Sequence, residues 1–203
     1  MRRVEQVCAS VGSDDERRIR TRRVVRRDTP ADGGAMKGAP WTAFIAMLAI
    51  AAPAAARAEG SFDARLSGFQ EVPSISTNGN GQFRASVVGS GADLRIEYEL
   101  SYRGLSTPAG AAHIHFAQRA VAGAISAFLC GGGNKPACPA EGTVTGTIRA
   151  GDVVGPANRG IAAGELEELV RAMRAGVTYA NVHSTQYPDG EIRGQIAEDV
   201  ESP

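Results

Sequence analysis

The sequence predicts a mainly β protein, an antiparallel sandwich or barrel that carries one short helix. Three observations support this prediction. From residue 62 onward, short segments of alternating apolar and polar residues recur along the chain, turn-forming residues separate them at close spacing, and one segment alone has helical periodicity. About 145 residues follow a leader-like N-terminus, which is enough for one domain with its own core.

A period of two residues identifies the strands. It is clearest over residues 94–100, where four apolar residues alternate with three charged ones, so that one face of the strand is apolar and the other polar. Turn-rich segments at 77–81, 88–92 and 106–110 mark strand ends. We predict strands at the following positions: 62–66, 83–87, 94–100, 111–117, 125–129, 142–149, 177–184 and 191–197.

The helix is predicted at residues 164–175. Four apolar residues recur there with helical spacing, acidic residues fill the first turn, arginines fill the last turn, and Gly176 follows as a stop signal. The apolar positions are Leu166, Leu169, Val170 and Met173. We interpret this helix as structural, covering one end or edge of the sheet.

The N-terminal 58 residues have the composition of a leader. Residues 36–58 contain an uncharged, mostly apolar run of 12 residues at 41–52, too short to span a membrane but suited to a secretory signal peptide. Ala56-Arg57-Ala58 matches the small-x-small cleavage pattern, so the mature domain is predicted at 59–203, with its core at about 61–197. We expect the protein to be exported, to the periplasm or the medium, with no membrane span in the mature chain.

Residues 1–35 form a separate segment with four Arg-Arg pairs and little apolar periodicity. We predict that it is an unstructured leader. Met36 is the alternative start of translation, and the upstream stretch is then a wrongly assigned start. A twin-arginine export signal around Arg22-Arg23 is the other interpretation, and the polar stretch before the apolar run argues against it.

The charge balance excludes one class of partner. The whole chain has 22 basic and 22 acidic residues, of which residues 1–58 contain 11 basic and 6 acidic. The remaining 11 basic and 16 acidic residues give the mature domain a formal charge of −5. Scattered arginines on an acidic domain form no phosphate-binding stripe, so nucleic acid is not an expected partner.

Two cysteines remain after the leader, Cys130 and Cys138, on either side of a glycine-rich loop of seven residues. In a protein sent to an oxidising compartment, such a pair indicates a disulfide. Metal-binding cysteines are the alternative, disfavoured because no Cys-x-x-Cys spacing occurs.

All three histidines, His113, His115 and His183, lie in two similar strand segments. On a strand, His113 and His115 point to the same face, and His183 on another strand can complete a pocket. Three imidazoles suit copper or zinc and leave one coordination position open. The alternative is that these histidines are hydrogen-bonded packing residues between the sheet and a loop. Asp189 and Glu191 near His183 are a weaker, acid–base candidate, since turn chemistry already explains that segment.

Several motifs together resemble the CHRD domain, a module named from chordin that also occurs singly in exported microbial proteins. They are Ala112 to Ala117 (Ala-His-Ile-His-Phe-Ala), the two cysteines, Asn181 to Gln195, and the opening Phe62 to Pro73. The resemblance covers about residues 61–197. It implies an immunoglobulin-like β-sandwich or barrel, distantly similar to copper/zinc superoxide dismutase.

The resemblance also bears on function. In the dismutases a His-x-His pair presents two copper ligands, to which His113 and His115 are similar, but those enzymes use further histidines that this sequence lacks. The animal relatives suggest binding of an extracytoplasmic protein partner. We therefore expect an exported, non-enzymatic binding module. The alternative is a redox protein with one copper, or zinc, on His113, His115 and His183.

Overall fold

The computed structural model describes residues 58–199, which form one antiparallel sheet of nine strands and one α-helix, α1 (Leu166–Arg174). The strands are β1 Ala58–Ser67, β2 Asn80–Val88, β3 Arg95–Arg103, β4 Ala109–Phe116, β5 Ala124–Cys130, β6 Gly142–Ile148, β7 Thr178–Ser184, β8 Ile192–Gln195 and β9 Ala197–Glu198. The mainly β prediction is confirmed. The predicted leader and signal peptide lie outside the described residues, apart from Ala58.

The sheet curls until it almost closes into a barrel. Its strands follow the order β5-β4-β7-β8-β1-β2-β3-β6, and β9 pairs with β1 beside this path. The two outer strands approach each other. The Val154 N–H, just after β6, donates to Ser126 O on β5 at 2.9 Å, and Ala127 forms a β-bridge with Val153. Closing a sheet in this way protects its edges from pairing with other chains.

The barrel encloses the apolar face of each strand, and α1 covers part of the same core. Inward side chains such as Phe62, Phe83, Ile96 and Leu100 are almost completely buried. The apolar side chains predicted to form the stripe of α1 are buried too. The helix therefore has the structural role that its sequence pattern predicts, although it begins two residues later than predicted.

Two regions of the sheet differ in how they are buried. On β3, buried and more exposed residues alternate, which is the pattern of a strand with one face in water. On β7, six of the seven residues are buried, and half of β4 and most of β8 are buried as well. The outer face of these three strands is therefore covered, by loops rather than by a second sheet. All three histidines lie under this cover.

Cys130, the last residue of β5, and Cys138 form a disulfide, as predicted. Among residues 58–199, no helix is both long enough and apolar enough to cross a membrane.

Candidate metal centre

Strand pairing places the three histidines on one face. In the antiparallel ladder between β4 and β7, Ala111 pairs with His183, His113 with Asn181, and His115 with Tyr179. Because alternate residues of a strand share a face, all of the odd-numbered side chains in this ladder point outward, away from the barrel core. The register of two strands therefore brings together residues that lie 70 positions apart in sequence.

The three imidazoles form a compact cluster. Ring centroids lie 4.7 Å apart for His113 and His183, 5.4 Å for His113 and His115, and 5.7 Å for His115 and His183. One ligand nitrogen from each ring can be chosen so that all three lie within 4.8 Å of one another. The Phe128 ring packs almost perpendicular to His113, with centroids 4.6 Å apart, and forms an apolar wall beside the cluster.

Two backbone carbonyls determine which nitrogen of each ring carries the proton. A carbonyl oxygen only accepts, so Nδ1–H of His115 donates to Gly123 O at 3.0 Å, and Nδ1–H of His183 donates to Pro188 O at 2.9 Å. The Nε2 atoms of both rings then hold lone pairs. His113 Nδ1 lies 3.0 Å from His183 Nε2 and must be the donor in that contact.

This arrangement leaves two acceptors without a partner. His113 Nε2 and His115 Nε2 are both buried, and neither has a hydrogen-bond donor. His113 is 6% exposed and His115 is 7% exposed, so water does not replace the missing donors freely. An unsatisfied buried polar atom costs about 1–3 kcal/mol of stability. Two such atoms in one cluster point to a ligand that accepts lone pairs.

The cluster stays uncharged well below neutral pH. Burial lowers the pKa of His113 to about 3, assisted by His183 and His115. Burial also lowers the pKa of His115 to about 4, against the hydrogen bond to Gly123, which raises it. The pKa of His183 is lowered by burial as well, against opposing effects of Pro188 and Asp189. Neutral imidazole is the form that binds metal.

We predict that the metal-free protein loses stability as the pH falls from about 6.5 to 4.5. The unfolded chain protonates its histidines near pH 6.5 while the folded cluster does not, so acid favours unfolding by up to about 1.4 kcal/mol per pH unit for each histidine. Glu71 opposes this trend, because burial raises its pKa to about 7 and its folded form takes up a proton first. The three histidines together change the unfolding free energy more than Glu71 does, so acid still destabilises the protein.

Urea unfolding at pH 6.5 and pH 5 measures the effect. His113→Ala removes one of the three buried histidines, so its unfolding free energy should change less between pH 6.5 and pH 5 than that of the wild type. An unfolding free energy that stays constant across this window would contradict the assignment of neutral, buried histidines.

A stack of side chains supports His115. The rings of His115 and Tyr179 are almost parallel, with centroids 4.8 Å apart and an interplanar angle of 7°. The guanidinium carbon of Arg193 lies 3.4 Å from the Tyr179 ring centroid. Gly123 holds both stacked rings in place, because its N–H donates to Tyr179 Oη at 3.0 Å and its carbonyl accepts from His115. The orientation of His115 is thus fixed without a metal.

A second polar group is buried next to the histidines. Asn181, between Tyr179 and His183 on β7, donates through Nδ2 to Glu71 Oε1 at 2.6 Å and to Ile192 O at 2.8 Å. Glu71 is 8% exposed and Asn181 is 2% exposed. This pair ties the loop after β1 to the centre of the covered face.

Gly190 lies against the same pair. Its φ is +128°, and a Cβ atom there would lie 2.7–2.8 Å from the Asn181 amide and from Glu71 Oε1. We predict that Gly190→Ala destabilises the domain by about 1–3 kcal/mol, because it adds both backbone strain and a clash. Gly110→Ala on β4 is the matched control, since nothing lies within 4 Å of its Cβ position. Equal midpoints of unfolding for the two variants would contradict this prediction.

The structure separates Asp189 from Glu191, the acid pair considered from sequence. Asp189 is exposed in the turn, whereas Glu191 is fully buried and accepts hydrogen bonds from Thr77 and Ser106. Oε1 of the Glu191 carboxylate is therefore occupied in holding loops together.

Sequence reasoning missed the residues around the histidines, namely Glu71, Asn181 and Arg193. Arg193 directly follows apolar Ile192 on a short strand, and a charged residue in that position is expected to face solvent. In the structure, however, Arg193 is 2% exposed. The sequence gives only a weak indication of these residues, which is that Glu71 and Arg193 both lie within the segments that carry the family resemblance.

The protein-family model of the CHRD domain matches the chain over residues 62–196. Comparison with curated proteins and with solved structures finds no match.

Proposed function

The chain belongs to the CHRD domain family, and we propose that it is an extracytoplasmic binding domain whose His113, His115 and His183 hold one copper or zinc ion. The observation that carries this proposal is the pair of buried Nε2 atoms on His113 and His115, which have no hydrogen-bond donor and belong to the same cluster as the third imidazole. A metal ion would accept these lone pairs and remove the cost of leaving them unsatisfied.

The spacing of the cluster is close to what coordination requires. A metal–nitrogen bond is about 2.0–2.1 Å, so two nitrogens on one tetrahedral ion lie about 3.4 Å apart. The nitrogens of the cluster lie within 4.8 Å of one another and so have to approach by up to about 1.4 Å, and His183, the most exposed of the three, has the most room to move. Three nitrogen ligands leave one position open to water or a small ligand.

The type of ligand favours copper or zinc over magnesium or calcium. The metal-binding cluster found in the described part of the chain contains only imidazoles, whereas magnesium and calcium prefer carboxylate and carbonyl oxygen. Neutral imidazole suits both copper and zinc. Histidine-held copper can also carry an electron, which is the chemistry of the alternative function, a mononuclear redox protein.

Isothermal titration calorimetry of the metal-free protein with Cu(II), Cu(I) and Zn(II) tests the proposal. We expect one ion to bind per chain with a dissociation constant below about 100 μM. If none of these ions binds more tightly than that, the metal site is disproved. A superoxide or peroxide turnover assay on the copper form then separates a redox protein from a binding domain.

Export is part of the same proposal. The apolar run at 41–52, the cleavage pattern that ends at Ala58 and the Cys130–Cys138 disulfide all agree with folding outside the cytoplasm. We propose a mature domain from residue 59, with residues 36–58 as the signal peptide. N-terminal sequencing of protein from the periplasm or medium should give Glu59. A chain recovered there with residues 36–58 intact would contradict the cleavage.

Binding of an extracytoplasmic protein is a second candidate function. One observation favours it: Phe69, after β1, is 71% exposed, and Val72 in the same loop is 39% exposed. Large apolar side chains at the surface are typical of interaction sites. Capture of a partner by the wild-type domain, and its loss in Phe69→Ser with the fold intact, would support this function. If both proteins capture the partner equally, Phe69 is not part of the partner-binding surface.

A further inference from the structure

We propose that the three-histidine site selects monovalent copper over divalent ions, because the buried guanidinium of Arg193 stacks behind the His115 ligand through the Tyr179 ring. This inference rests on the proposed metal site and adds which ion the site prefers. Its basis is the fixed charge around the cluster.

Arg193 places a positive charge close to the metal position. The steps of 3.4 Å from the guanidinium carbon to the Tyr179 centroid and 4.8 Å from Tyr179 to His115 place that carbon within about 8 Å of the His115 ring. Its nitrogens donate to Val121 O at 2.9 Å and Gln118 O at 3.1 Å, and both acceptors are neutral. Arg193 is 2% exposed, so water screens its charge poorly.

The ligands themselves supply no negative charge. Three neutral imidazoles leave the full charge of the ion uncompensated, and Phe128 contributes an apolar wall. Repulsion from Arg193 is twice as large for a divalent ion as for a monovalent one. A metal on His115 Nε2 would lie up to about 11 Å from the guanidinium carbon, and at an effective dielectric constant of about 20 one extra unit of charge there changes the binding constant by roughly tenfold. The site therefore favours Cu(I) over both Cu(II) and Zn(II).

Three other charged side chains act on this region. Arg119 interacts with Arg193, and Asp189 interacts with His183, but both Arg119 and Asp189 are exposed and screened by water. Glu71 is the buried group of opposite sign, and it interacts with Arg193. When ionised, Glu71 partly compensates the guanidinium. Arg193 and Glu71 thus shift the preference in opposite directions.

The test measures Cu(I) and Cu(II) dissociation constants of the exported, disulfide-bonded protein at pH 8 by competition with chromophoric chelators. Ascorbate under anaerobic conditions keeps copper reduced without reducing the disulfide. We expect the wild type to bind Cu(I) at least tenfold more tightly than Cu(II). Arg193→Gln should shift the ratio of the two constants at least tenfold toward Cu(II), whereas Arg193→Lys and the exposed control Arg84→Gln should keep it within about threefold.

Glu71→Gln should have the opposite effect and shift the ratio of the two dissociation constants further toward Cu(I). If Arg193→Gln does not fold, the result for Glu71→Gln decides the question. A wild type that binds Cu(II) more tightly than Cu(I), an unchanged ratio in folded Arg193→Gln, or a shift of Glu71→Gln toward Cu(II) would each overturn the inference while leaving the metal site in place. A wild type that binds neither ion would overturn the site itself.

Discussion

Replacing His115 with alanine is expected to lower the affinity for copper or zinc by at least about tenfold. His115 is firmly oriented, since its Nδ1–H donates to Gly123 O and its ring stacks on Tyr179. The substitution removes one of three ligand nitrogens and leaves the other two in place. Competition titration of the metal-free variant and the wild type measures the change.

The control is urea unfolding of the metal-free variant, which shows whether it still folds. His115→Ala also removes an unsatisfied acceptor, so the metal-free variant should unfold at a urea concentration similar to that of the wild type. Unchanged metal affinity in a folded His115→Ala protein would remove this residue from the site, and the same result for His113→Ala would end the three-histidine interpretation.

Replacing Glu191 with alanine is expected to destabilise the domain by about 3–5 kcal/mol. Its Oε1 accepts from Thr77 Oγ1 at 2.6 Å, from the Ser106 N–H at 2.7 Å and from Ser106 Oγ at 2.9 Å. Burial alone would raise the pKa of Glu191, but hydrogen bonds from Ser184, Thr77 and Ser106 outweigh it and hold the pKa below its usual range. Alanine leaves these donors buried without an acceptor.

Glu191→Gln is the matched comparison, because the amide oxygen can still accept hydrogen bonds while the charge is lost. We expect a smaller loss for this variant than for Glu191→Ala in urea unfolding at pH 7. A loss below about 1 kcal/mol for Glu191→Ala would show that the loops at Thr77 and Ser106 do not depend on the carboxylate.

The barrel could be predicted from sequence because one face of each strand had to be apolar. Residues 94–100 predicted β3 directly, and the apolar positions of α1 predicted the helix. The closure of the sheet could not be predicted, since it depends on contacts such as that between Val154 and Ser126 that have no sequence signature.

The site was predictable in its ligands and not in its surroundings. The spacing of His113 and His115 fixes their common face, whereas their proximity to His183 depends on the register of β4 against β7. The cover over this face was missed because Arg193 and Asn181 are polar, and polar residues on alternate positions indicate solvent. Here loops bury them, and backbone carbonyls satisfy the guanidinium.

The most direct test of the central claim is elemental analysis of the native protein purified from the periplasm or culture medium without added metal. We predict about one copper or zinc per chain in the wild type, and a clearly lower content in His115→Ala purified in parallel. Equal, near-zero metal content in both proteins, together with a wild type that takes up no copper or zinc when these ions are added, would contradict it.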